Sequence, residues 1–203
     1  MSRRNGHHAG GRERIAREAA RLMVEGGIDD YQFVKKKAAS RLQITDKQAM
    51  PSNEEIEAEV STYQRLFRAQ SQPKRLQALR RVALDAMRFL VQFQPRLVGS
   101  VLRGTADEHS AIHLHLFSEP NEAVGLFLMD NAMPYEVGER TLRLSPTEQR
   151  VFPTCSFVAA DVAIELVVFD LNSQRNPPLC PVAGKPMKRA NLTTVSGLTD
   201  GAG

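Results

Sequence analysis

Residues 96–117 read RLVGSVLRGTADEHSAIHLHLF, and the change of period inside this stretch decides the fold class. Arg96-Leu97-Val98 is a short apolar run ending at Gly99-Ser100, which predicts a brief buried strand and a turn. Ile112-His113-Leu114-His115-Leu116-Phe117 then alternates with period two. One side of that strand carries Ile112, Leu114 and Leu116, and the other carries the two histidines. A short turn of helix fits between the two strands. Downstream, Ser118 reads as the cap of a helix holding Ala123 to Met129, with Pro120 tolerated in its first turn. Residues 135–144 and 151–158 read as further strands. Ala163-Ile164-Glu165-Leu166-Val167-Val168-Phe169, rich in β-branched residues, is the clearest strand of the chain.

Upstream of Pro95 the period is helical. Ile15, Ala19 and Leu22 predict a helix over 12–25, stopped by Gly26-Gly27. Asp29 or Asp30 is placed to cap a second helix through Val34, Ala38 and Leu42. Ser52 or Asn53 precedes a third with Ile56, Val60, Tyr63 and Phe67, where Glu54 and Glu55 suit the positive end of the helix dipole. A fourth, from Lys74 to about Gln92, carries a continuous apolar stripe that reads as core. The expected class is α+β: a helical N-terminal region ahead of a mixed sheet with flanking helices. The expected divisions are a disordered tail over 1–11, a helical region over 12–72, a sheet-containing domain over 73–192 and a flexible tail over 193–203.

Composition narrows the functional classes. The chain has 203 residues, 42% hydrophobic and 25% charged, as an ordinary globular protein does. Two cysteines, Cys155 and Cys180, make neither a disulfide framework nor a zinc pattern, and read as reduced thiols of a cytoplasmic protein. No stretch approaches the roughly 18 apolar residues of a membrane span. The net charge of +4 is uneven: residues 1–94 hold 18 Lys/Arg against 11 Asp/Glu, and residues 95–203 hold 9 against 12. Lys35, Lys36 and Lys37 concentrate that charge on the second helix. Such a patch is either a solvated surface or a footprint for RNA or a protein partner.

The run from Gly99-Ser100 through Gly104 and Ser110 to the strand at 112–117 carries the chemical signal. Glycines let the backbone approach an anion, and exposed amides favour phosphate. The whole run resembles the nucleotidyltransferase superfamily of DNA polymerase β and the minimal nucleotidyltransferases, over about residues 74–190. Cys180-Pro181 to Gly184-Lys185-Pro186-Met187 looks like a C-terminal feature of the bacterial members. The resemblance implies a nucleotidyltransferase-like sheet and a nucleotide as partner. Its phosphate contacts would fall on Gly99, Ser100, Gly104 and Ser110, and Arg103, between the two glycines, reads either as a further phosphate partner or as a solvated helix-surface arginine.

The chain departs from that pattern where the metal chemistry sits. The family holds magnesium with two aspartates one residue apart on a strand and a third carboxylate from a neighbour. Here those two positions are Ala111 and His113, and only Glu165 keeps a carboxylate. Magnesium takes hard oxygen ligands, so the resemblance implies no efficient magnesium-dependent transfer. Two readings of the histidines follow. His113 and His115 can join Glu165 around a transition metal, or stand as neutral, hydrogen-bonded side chains on the open face of a retired site. His113 and Glu165 are the candidate catalytic pair, with His113 able to exchange protons near neutral pH. Glu165 reads either as that retained acid or as the solvent-facing residue of an edge strand.

Overall fold

The computed structural model describes the backbone of residues 2–200 and the side chains of residues 10–199. The chain divides into two compact units, residues 1–73 with 181–183, and residues 74–180 with 184–203.

The first unit is helical. α1 (Ser2–Gly26), α2 (Tyr31–Arg41) and α3 (Asn53–Phe67) bury Ile15, Ala19, Val34, Ala38, Ile56 and Val60 in a common core. α1 starts at Ser2, inside the stretch read from sequence as a disordered tail over 1–11. Its side chains before Gly10 lie outside the described residues. Asp30 caps α2, its carboxylate accepting from the Gln32 and Phe33 amides at 2.8 and 3.0 Å. Ser52 and Glu55 close a reciprocal capping box on α3, with bonds of 3.1 and 2.6 Å.

The second unit is a five-stranded mixed sheet with helices. α4 (Gln72–Phe89) leads through a 3-10 turn to β1 (Arg96–Val98), α5 (Gly99–Arg103), β2 (Ile112–Phe117) and α6 (Ala123–Asp130). β3 (Glu136–Arg143), β4 (Gln149–Ala159), β5 (Val162–Phe169) and α7 (Leu192–Asp200) follow. The sheet order is β1-β2-β5-β4-β3, so the fold class is α+β with the helices α1 to α4 preceding the sheet. β2 and β5 run parallel, and every other neighbouring pair is antiparallel.

Alternation sorts the two faces. Ile112, Leu114 and Leu116 of β2 and Ile164, Leu166 and Val168 of β5 point to one side, where they join Leu79 and Met87 of α4 in the main core. The opposite face carries His113, His115 and Phe117 on β2, and Glu165, Val167 and Phe169 on β5. Phe117, Phe152, Val167 and Phe169 make a second, smaller apolar cluster there. β5 lies in the interior of the sheet, so Glu165 is not on an edge strand.

Two local expectations are corrected. Ser118 does not cap α6: its hydroxyl donates to the Pro120 carbonyl at 2.9 Å, and the helix begins at Ala123 without a side-chain cap. Of the residues read as a flexible tail over 193–203, those as far as Asp200 belong to α7, which begins at Leu192, and its Val195 is fully buried in the main core. The spacing was too short to advertise an amphipathic stripe, and the sheet supplies the order. Val195→Asp places an unpaired carboxylate in that core. We expect it to lower the stability of the sheet unit by about 2–4 kcal/mol, read by urea unfolding.

Candidate functional site

Strand pairing builds the site. In the parallel β2–β5 register His113 stands directly opposite Glu165, and Glu165 in turn faces Ser156 on β4. His113 Nδ1 lies 2.7 Å from Glu165 Oε2. Arg140, reaching in from β3, places Nη1 on the same carboxylate oxygen and 3.2 Å from His113 Nδ1. All three side chains are partly buried, with 23% of His113, 25% of Glu165 and 42% of Arg140 exposed.

The chemistry of these groups fixes the proton positions. Burial alone pushes the Glu165 carboxyl up, but the His113 hydrogen bond and the Arg140 charge outweigh it and hold the group below its ordinary value. Glu165 is therefore an ionised acceptor at neutral pH. His113 donates to it from Nδ1, because an ionised carboxylate can only accept. The proton on Nδ1 leaves Nε2 unprotonated in the neutral ring. The arrangement is a carboxylate-oriented imidazole, with one cation fixing the carboxylate.

Gly99 determines how closely the turn approaches this ring. Its φ is +78°, a conformation L side chains rarely adopt, and a Cβ there would meet His113 Cδ2 at 3.2 Å. Ser100, half-buried, follows at the start of α5. Gly99, Ser100, His113 and Glu165 are thus brought together on adjoining elements. The other predicted phosphate contacts serve the local fold. Gly104, at φ +93°, ends α5 with its amide on the Ser100 carbonyl at 2.8 Å. Ser110 is buried, accepting from the Asp107 amide at 3.0 Å and donating to its carboxylate at 3.2 Å. Arg103 is exposed on the last turn of α5.

His115 is held apart from the pair. It points to the same face as His113 but is 2% exposed, against the Phe169 ring at 4.6 Å. Arg189 Nε donates to its Nδ1 at 2.9 Å, so the ring's own proton sits on Nε2. Burial, then the charge of Arg189, drives the His115 pKa well below the ordinary histidine value. It is neutral at physiological pH. Arg189 stacks its guanidinium over Phe117 and Phe169 at 5.0 and 4.8 Å, and burial pulls its pKa down to about 10.

The metal reading of His113, His115 and Glu165 is corrected accordingly. Among the described residues no three His, Cys, Asp or Glu side chains gather as a metal-ligand group. An arginine lies on one ligating atom of two of the three would-be ligands: Arg140 on Glu165 Oε2 and Arg189 on His115 Nδ1. His109 is exposed beside Glu108 at 3.7 Å, and Asp107 is spent on its own turn. The lysine patch also changes. Lys35 is buried, and burial lowers its pKa; Lys36 is exposed, and Lys37 lies over the Phe33 ring at 5.2 Å.

Arg140 is the functional residue that sequence reading missed. Nothing local marks it, since it reaches Glu165 only because β3 follows β4 in the sheet. Comparison with protein-family models, curated proteins and solved structures finds no match to this chain. Among the described residues no helix is long and apolar enough to cross a membrane.

Two measurements check this geometry. A folded-state carboxyl pKa below its ordinary value of 4.5 contributes stability above that pH, and the contribution disappears as pH falls through the folded value. Urea unfolding should therefore show wild type more stable than Glu165→Gln at pH 7, with the gap closing as the solution is acidified below the ordinary value. Gly99→Ala should cost about 1–2 kcal/mol, because it imposes a left-handed conformation and a contact with His113 together.

Proposed function

We propose that the chain is a nucleotidyltransferase-like module that binds a nucleotide or nucleic-acid phosphate beside the Gly99-Ser100 turn, in a regulatory or binding role, without efficient magnesium-dependent transfer. The observation that supports this reading is the state of Glu165. It is the one acid retained from the family's pattern, and its carboxylate oxygen takes both His113 and Arg140. A guanidinium already lies on that carboxylate oxygen, and its positive charge opposes a divalent cation there. The same cation, a protonatable imidazole and the bare backbone of Gly99 form a surface suited to an anion.

A second reading has its own support. The Glu165-oriented ring of His113, whose neutral tautomer carries its proton on Nδ1, is arranged as a general base is, so metal-free proton transfer at His113 is the alternative. Nucleic-acid binding through Lys35, Lys36 and Lys37 draws less support, because Lys35 is withdrawn from the surface.

The test is calorimetric titration of tag-free protein with ATP, CTP, GTP and UTP, each with and without magnesium. Binding of one nucleotide irrespective of magnesium, weakened at least about tenfold in Arg140→Ala, is the expected result. Robust magnesium-dependent transfer abolished by Glu165→Ala would overturn the proposal. A transfer or hydrolysis activity without metal, lost in His113→Ala, would select the second reading.

A further inference from the structure

The two edges of the sheet are treated differently. β1 is closed by the chain itself: the Leu97 and Ala190 backbones exchange hydrogen bonds of 2.8 and 2.9 Å. β3 is open. None of its residues is buried, and Val137 is 79% exposed. The turn after β3 fixes which amides face outward. Leu144 N–H donates to Glu148 at 3.0 Å, and the β3–β4 register makes the even-numbered residues 136 to 142 bond inward in the same series. The odd positions therefore point their N–H and C=O away from β4. Arg143 confirms the phase, because its carbonyl accepts the Leu179 amide at 2.7 Å on the outer side. Val137, Glu139 and Thr141 make no backbone bond outside the sheet among the described residues.

An open edge of this kind takes another strand, and natural edges are usually blunted against it. β3 carries charges, but of both signs in sequence order: Glu136 and Glu139, then Arg140 and Arg143. That order suits an antiparallel copy of itself. Outward amides on odd residues require odd to face odd and even to face even, so a two-fold axis must pass through a residue. An axis at Glu139 opposes two carboxylates. An axis at Arg140 opposes two guanidiniums and needs the Arg143 carbonyl that Leu179 already holds.

An axis at Gly138 meets neither conflict. Val137 and Glu139 of one copy exchange backbone bonds with Glu139 and Val137 of the other, and Gly138 faces Gly138 where the chains come closest. Glu136 faces Arg140 of the second copy twice, at the non-hydrogen-bonded positions where cross-strand side chains are nearest, with Cα atoms about 4.5 Å apart. Arg140 meets Glu165 through Nη1 and its side chain is 42% exposed, so Glu136 of the second copy faces the exposed part of that side chain. The exposed Val137 side chains lie diagonally across the axis from each other. We infer that β3 is a self-association edge, through which two copies of this chain join their sheets antiparallel about Gly138.

The test uses the full chain in sedimentation velocity across a range of concentrations. Wild type is expected to reach twice the 22.6 kDa chain mass as concentration rises. Glu136→Arg turns both cross-strand ion pairs into like-charge pairs and should weaken association by about 10- to 100-fold. Val137→Pro removes an outward donor while leaving the inward ladder intact, and should do the same; circular dichroism checks that each variant keeps its sheet. Amide exchange reads the register: Val137 and Glu139 should be protected only in concentrated samples, with Thr141 unchanged. A chain of single mass at every concentration overturns the inference. So does a dimer that survives both substitutions, or one whose formation leaves the Val137 and Glu139 amides exchanging freely.

Discussion

The parallel pairing of β2 with β5 is the contact on which the second unit depends. It sets Ile112, Leu114 and Leu116 beside Ile164, Leu166 and Val168 on one face, so two strands far apart in sequence bury their aliphatic sides together. Parallel strands need a crossover, and here α6 and the β3–β4 hairpin lie between them in the chain. The same register brings His113 to Glu165. Core and site are thus two faces of one pairing, and the aliphatic face supplies the free energy that holds the polar one in place.

On that polar face, each arginine decides what its neighbour can do. Arg140, with the His113 hydrogen bond, keeps Glu165 ionised, and it occupies one oxygen of that carboxylate. Arg189 sits deeper, between Phe117 and Phe169, and leaves His115 neutral with its Nδ1 occupied. Without these two cations the face would hold two histidines and a carboxylate, donors of the kind that suit a borderline transition metal. With them it holds an oriented imidazole and an anion-compatible surface. Charge placed by the β3 strand and the C-terminal loop, more than the identity of the β2 residues, sets the chemistry.

What the sequence made legible was what local period can encode. The alternation of 112–117, the β-branched run of 163–169, the Asp30 and Ser52 caps and the apolar stripes of α3 and α4 all lie within a few residues of their cause. The resemblance singled out Gly99, His113 and Glu165 together, and the strand register sets them side by side. The misses came from distance. Arg140 and Arg189 act on residues 25 and 74 positions away, and no local pattern announces them. Lys35 looked like one of three surface cations because its burial depends on α2 docking in the helical core. Val195 looked frayed because α7 is short and owes its order to the sheet. Glu165 could not be placed at edge or interior until the order β1-β2-β5-β4-β3 was known.

The two histidines of β2 have one more consequence, for the uniqueness of the fold. Hydrophobic alternation forbids β2 from sliding by one residue against β5, since every side chain would change face. It is blind to a slide of two, which returns aliphatic residues to the core and histidines to the open side. The polar groups are not blind to it. His113 donates a hydrogen bond from Nδ1 to Glu165, and His115 accepts one at Nδ1 from Arg189. A two-residue slide brings a carboxylate to the ring that an arginine already serves and strips the other ring of its acceptor. The tautomers of two neighbouring histidines act as a key that admits a single alignment of the strands.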